Sequence, residues 1–216
     1  MANDLKEKTV EKMLQEIQSL LSHLHDNRAQ FEASFKQVLA LVEDSSDDDG
    51  RDELTGLQRR RIFIRQLVDF IREPSGTCGL LLIHIDHFKK INDTHGPLTG
   101  DSILSKVGEL LRSFETRDCV IGRLIGEEFA VALRGSDVEV VGVAEFIRRG
   151  VEKLHGAVVY SDGKPSKKIN WRCTVSVGMA STSRPGLKLN PTKLFGAADS
   201  ALKLAQAKGR NQVAIS

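Results

Sequence analysis

Cysteine, proline and aromatic residues are scarce in this chain. Its 216 residues include three cysteines, five prolines, one tryptophan and one tyrosine, and the aromatic share is 5%. Cys78, Cys119 and Cys173 lie far apart, with no CxxC pair and no Cys/His spacing suited to zinc. A disulfide scaffold and a structural zinc site are therefore excluded, and buried free thiols in a reducing compartment are expected. Long apolar runs are also missing. The longest, around GLLLI, is far too short to span a bilayer. Polar residues follow Met1, so no signal peptide is expected, and the expected location is cytoplasmic, away from the membrane. Nor is there an excess of charge of one sign: 31 basic residues face 29 acidic ones, for a net charge of +2. No nucleic-acid partner is expected. The one basic cluster, Arg59, Arg60 and Arg61, falls on a predicted helix and reads as a solvated face. No nucleophile–base–acid arrangement points to a hydrolase. What remains, 40% hydrophobic and 28% charged, is the composition of an ordinary globular protein.

The first 44 residues differ from the rest. Val10, Met13, Ile17, Leu20, Leu24, Phe31, Val38 and Leu41 alternate in steps of three and four, and Asn27 and Ser34 fill the two remaining places. This heptad seam with two polar positions predicts a parallel dimeric coiled coil over residues 1–44, and so a homodimer through the N-terminal helix. A helical hairpin breaking near HDNR, capped by Asp26 or Asn27, is the alternative. An acidic linker without periodicity follows at residues 45–51, and the main domain is placed at 52–216.

That domain reads as mixed α/β. Helices are predicted over 58–73, 99–114, 137–154 and 191–207, with a short one in HFKKINDTHG. Thr99 or Asp101 is the expected start of the second. Strands are predicted at CGLLLIHI, CVIGRL, EEFAVAL, AVVY, WRCTVSVGMA and NQVAI, with a hairpin turn at Ile125-Gly126. The order predicts an α/β fold with a mostly antiparallel central sheet flanked by helices. Trp171 is expected in packing, His87 and His95 at the surface, and Asp86 as a helix cap.

Five separate stretches then fall in one register: DELTGL at 52–57, IDHFKKINDTHG followed by GD over 85–101, GEEF at 126–129, VSVGMA at 175–180, and AD followed by GRN over 198–211. Together they resemble GGDEF domains, the diguanylate cyclases, over about residues 50–216. The resemblance implies a palm-like fold akin to polymerases and class III nucleotide cyclases. It implies one GTP per subunit, with two subunits meeting face to face. Each 3′-hydroxyl then attacks the other GTP's α-phosphate, giving cyclic di-GMP and two pyrophosphates. Divalent metal belongs to such chemistry because charge builds on the phosphoryl oxygens and the leaving group.

By the same resemblance, Asn92 and Asp101 match the readers of the guanine edge and Lys89 a lysine near the phosphates. Gly126 lies in the signature turn, Glu127 matches its metal-binding acid and Glu128 the acid after it, and Arg210 matches the arginine of GRN. The departures are as telling. His84 stands where the family carries its first metal-binding carboxylate, and a neutral nitrogen there should weaken a magnesium pair. Gln206 replaces a lysine, Gly96-Pro97 replaces Gly-His, and Ile125-Gly126 replaces the signature Gly-Gly. Ile125 is read as a plug near the triphosphate; a tolerated turn variant facing solvent is the alternative. His84 with Glu127 could hold zinc or manganese, although a lone histidine on a buried strand is more often core. The R-x-x-D pair of the family's inhibitory product site is missing, because Arg117 and Asp118 stand adjacent and out of register. No cyclic di-GMP is expected there.

These readings predict a degenerate GGDEF domain. Glu127 and Glu128 would be vestigial catalytic acids, with Glu127 a weak metal position and no cofactor held. The partner would be a signalling protein, with weak GTP or GDP binding through the surviving base readers. An active diguanylate cyclase using magnesium or manganese is the first alternative, and a purely structural dimer the second.

Overall fold

A computed structural model describes residues 50–72, 76–160, 167–184, 186–187 and 190–216. The heptad seam over 1–44 and linker residues 45–49 lie outside the described residues. Gly50 and Arg51, the last two linker positions, belong to the edge of the domain. The Gly50 carbonyl accepts from Arg59 N at 2.7 Å, and Arg51 pairs with Glu115 at 3.3 Å.

Elements follow the order β1 Gln58–Arg59, α1 Arg60–Arg72, β2 Cys78–Ile85, α2 Phe88–His95, α3 Pro97–Arg112, β3 Cys119–Ile125, β4 Glu128–Arg134, α4 Asp137–Lys153, β5 His155–Tyr160, β6 Lys167–Arg172, β7 Val175–Ser181, α5 Pro191–Ala207 and β8 Val213–Ile215. Six strands form one sheet in the order β1-β3-β4-β2-β7-β8, and β5-β6 form a second, two-stranded sheet. The three central pairings are antiparallel and the two outer ones parallel.

Strand alternation splits the core into two apolar layers. Leu80 and Leu82 face Phe63, Leu67, Leu194 and Ala198 of α1 and α5. Leu81, Ile83 and Ile85 face Ile103, Val107, Ala144 and Ile147 of α3 and α4. β2 is central and covered on both sides, which is why it reads as one continuous apolar run. The α4 start is a capping box. Ser136 Oγ accepts from Glu139 N, and Glu139 Oε2 accepts from Ser136 N at 2.7 Å.

Two expectations are corrected here. WRCTVSVGMA is not one strand: β6 and β7 belong to different sheets and part at Cys173-Thr174. The second long helix starts at Pro97, with Gly96 before it and no side-chain cap, so neither Thr99 nor Asp101 opens it.

The β7–α5 contact has no room for a methyl group. A Cβ on Gly178 would collide with Ala198 O and Leu202 N, both backbone atoms that cannot swing aside. Gly178→Ala is therefore expected to cost about 2–4 kcal/mol in urea unfolding, because α5 must move off the sheet.

Candidate nucleotide site

The signature hairpin joins β3 to β4, and Ile125 pairs with Glu128 across it. The two central turn residues are therefore Gly126 and Glu127, one position later than expected. Gly126 has φ +52°, and Glu127 is not among the positive-φ residues. A positive φ at the first central position alone is the pattern of a type II′ turn, which asks for glycine there. Ile125 is the last strand residue, so its β-branch meets no left-handed backbone. It is 65% exposed, an apolar side chain left in solvent and not one filling a closed cavity.

Arg123 holds this turn from below. Its Nε donates to Gly126 O at 2.9 Å, and its guanidinium donates to both Asp52 oxygens at 2.9 and 3.1 Å. Asp52 also accepts from Thr55 N and Thr55 Oγ1, so the DELTGL stretch and the signature hairpin form one unit. Burial raises the Asp52 pKa, but the bonds from Thr55 and Arg123 outweigh it and leave the pKa below its ordinary value of 3.8. A depressed folded pKa stabilises the fold above the unfolded value, and that contribution is lost as pH falls through the folded one. Arg123→Leu should thus lower the melting temperature at pH 6, with the gap to wild type closing as pH falls through the depressed folded pKa of Asp52.

His84 sits near the end of β2, opposite Glu128 on one side and Ser176 on the other. Its Nε2 lies 3.6 Å from Glu127 Oε1, and its Nδ1 is buried without a hydrogen-bond partner. That geometry does not fit a magnesium pair. The cation wants several hard oxygen donors in octahedral array, whereas one carboxylate faces one imidazole here. A histidine bound to metal through Nε2 carries its proton on Nδ1 and needs an acceptor for it. No group of three or more metal-binding side chains occurs among the described residues.

Asp86, two residues on, is not a helix cap. The α2 cap position is His87, at φ 57° with no side-chain bond. Asp86 is 3% exposed and accepts from Thr174 Oγ1, Ser176 Oγ and Asn211 N at 2.7, 2.7 and 3.0 Å. It thereby ties the HID stretch to GRN, where Gly209, Arg210 and Asn211 run through φ values of 111°, 65° and 46°. Two non-glycine residues in left-handed backbone need support from outside the turn. Arg148 donates to Asn211 Oδ1 at 2.9 Å, and Asn211 Nδ2 donates to Glu152 at 2.7 Å. Neither Asp86 nor Asn211 was singled out from the sequence for this structural work.

At the other end, α2 carries Lys89 and Asn92 one turn apart, with Lys89 exposed. Asn92 Oδ1 lies against the bare Cα of Gly100, buried and without a donor. Asp101 follows immediately and is exposed on α3, so the two predicted base readers stand together. Arg210 is exposed beyond the GRN turn. In the adjacent Arg117-Asp118 pair, Asp118 engages Arg134 Nε at 3.6 Å. The three cysteines are free and buried, and burial pushes Cys78 and Cys173 up to about 12 and Cys119 to about 11.

No helix among the described residues is long and apolar enough to cross a membrane. Residues 50–212 match the family model for the diguanylate cyclase GGDEF domain. The chain is 34% identical over 167 residues to the probable diguanylate cyclase DgcT of Escherichia coli, covering 76% of this chain and 35% of that protein. It is 36% identical over 178 residues to the uncharacterized membrane protein SH2145 of Staphylococcus haemolyticus, covering 81% of this chain and 48% of that one. It thus spans half or less of these curated relatives. Among solved structures it resembles the GGDEF domain of DgcB from Caulobacter crescentus in complex with c-di-GMP. There the TM-score is 0.66 at 29% identity, over 80% of this chain and 96% of that one. The diguanylate cyclase SiaD of Pseudomonas aeruginosa, solved with its activator SiaC, gives a TM-score of 0.66 at 25% identity, over 100% of this chain and 79% of that one. With its palm-like sheet, its signature hairpin and this family match together, the chain belongs to the GGDEF family.

Proposed function

We propose that this is a degenerate GGDEF domain of the cyclic di-GMP pathway, catalytically silent, that works on the cytoplasmic side as a signalling and protein-interaction module. The observation that carries the reading is His84. It stands where the family carries a metal-binding acid, its Nε2 faces Glu127 at 3.6 Å, and its Nδ1 has no acceptor. A triphosphate without its cations meets uncompensated repulsion from Glu127 and Glu128. Gln206 in place of a lysine weakens the phosphate end further. The base-reading end is kept, so weak GTP or GDP binding goes with this reading. Arg117 and Asp118 are adjacent in sequence, and Asp118 is engaged by Arg134, so inhibitory cyclic di-GMP binding is not part of it. A protein partner is suggested by analogy with SiaD, which was solved with its activator.

The rival is an active diguanylate cyclase, favoured by the two acids on an intact hairpin and by the likeness to DgcT. Incubating the purified full chain with GTP and magnesium or manganese separates the two. The expected result is no cyclic di-GMP by liquid chromatography; sustained turnover with either metal would overturn the proposal.

A further inference from the structure

The second sheet, β5-β6, has no part in the readings above, yet it is joined by a side-chain bond to the helix that carries Asp101. Trp171, on β6, is 4% exposed, and its Nε1 donates to Ser102 Oγ at 3.2 Å. Ser102 directly follows Asp101 on α3. The indole lies over Gly156, its partner across the hairpin, where a Cβ would stand 2.5–2.8 Å from ring atoms Cζ2, Cε2 and Nε1. The ring therefore occupies the place of a missing side chain and is held in one orientation, with its N–H directed at α3.

A helix turn rotates as a body, so whatever fixes Ser102 also sets the direction of its neighbour Asp101. The same turn is fixed from the other side. Asn92 Oδ1 and Phe88 Cζ lie against Gly100, and Thr99 Oγ1 donates to His95 O at 3.0 Å. Asn92 on α2 and Trp171 on β6 thus clamp the Gly100–Ser102 stretch from two elements. Between them, Asp101 offers acceptor oxygens and Asn92 Oδ1 is a buried acceptor lacking a donor. Guanine presents an exocyclic amine donor that adenine lacks at that position.

We infer that Trp171, through Ser102, is a positioning residue for the guanine end of the site, and that the β5-β6 hairpin is thereby a working wall of that site. The inference rests on the proposed survival of guanine binding at Asn92 and Asp101. Because Trp171 is the one tryptophan in the chain, its emission reports this contact without interference from another indole.

The test titrates GDP and ADP into the full chain, with tryptophan emission and isothermal calorimetry read in parallel. GDP should shift the emission and ADP should not. Ser102→Ala should weaken GDP binding about three- to tenfold and abolish the emission response, while Ser102→Thr, which keeps the hydroxyl, should restore both. Trp171→Phe should weaken GDP binding similarly. Should it fail to fold, the serine pair still decides the matter. If calorimetry records GDP binding while emission stays flat and Ser102→Ala binds within twofold of wild type, Trp171 is core packing only and the inference fails alone. If calorimetry finds no GDP binding at millimolar nucleotide, the guanine reading fails and takes the inference with it.

Discussion

Replacing His84 by Asp and Ile125 by Gly together is expected to raise magnesium-dependent GTP affinity by about ten- to a hundredfold. Even changes to groups that only orient metal ligands commonly alter metal affinity by that factor, and His84 stands at a ligand position itself. The new carboxylate would lie across from Glu128 and near Glu127, replacing an imidazole whose Nδ1 is buried and unpartnered. Without metal, three acids in one place repel one another, so the metal-free variant should melt below wild type. Magnesium should recover that loss, since a cation bound only by the folded state raises stability with its concentration. Wild type should show no such dependence. Ile125→Gly alone should do little. Ile125 is already exposed and outside the turn's central positions, so its removal relieves no backbone strain. Calorimetric titration of GTP with and without magnesium, alongside melting curves over a magnesium series, reads all of this. Unchanged GTP affinity in the double variant would remove the physical basis of the lost-ligand account.

The elements that the sequence revealed are those with strong local signals. β2 is apolar from Cys78 through Ile83 because both its faces are covered, and α4 fills the helix expected over 137–154 to within a residue. Five motifs in register pointed to the family, and their positions converge: His84 meets Glu127, and Asn92 rests against Gly100 beside Asp101. What the sequence hid depends on contacts between distant residues. The apolar alternation runs unbroken through Cys173 and Thr174, so nothing local marks the end of β6. The break is held by Thr174, whose carbonyl accepts from Asp86 N and whose hydroxyl donates to Asp86 Oδ2, 88 residues away in sequence. Arg148 and Glu152 look like an ordinary pair one turn apart on a helix, yet both reach Asn211. Reading Ile125-Gly126 as the central pair, with Gly126 second, places the hairpin one residue early, because the strand pairing continues through Ile125 and makes Gly126 the first central residue.

Asp86→Ala is expected to destabilise the domain by about 3–5 kcal/mol in urea unfolding. The carboxylate is almost fully buried and satisfies two hydroxyls and one backbone N–H. Each buried donor left without an acceptor costs about 1–3 kcal/mol. Thr174 and Ser176 can turn their hydroxyls toward other acceptors, but the Asn211 N–H is fixed by the backbone and cannot. The loss therefore falls on the GRN turn, where Arg210 and Asn211 hold left-handed conformations that are tolerated only under constraint. Asp86→Asn keeps the shape and an acceptor oxygen for Asn211 N and Thr174 Oγ1, and its amide would face Ser176 Oγ, which must then accept instead of donate, so a smaller part of the cost should remain. The two variants together separate volume from hydrogen bonding. Hydrogen exchange at the Asn211 amide should quicken in both, more in the alanine variant, before global unfolding. A loss under about 1 kcal/mol for Asp86→Ala, with the Asn211 amide still protected, would mean that Arg148 and Glu152 alone hold the turn. The buried acid would then be dispensable to the frame that brings His84 and Arg210 to the same end of the sheet.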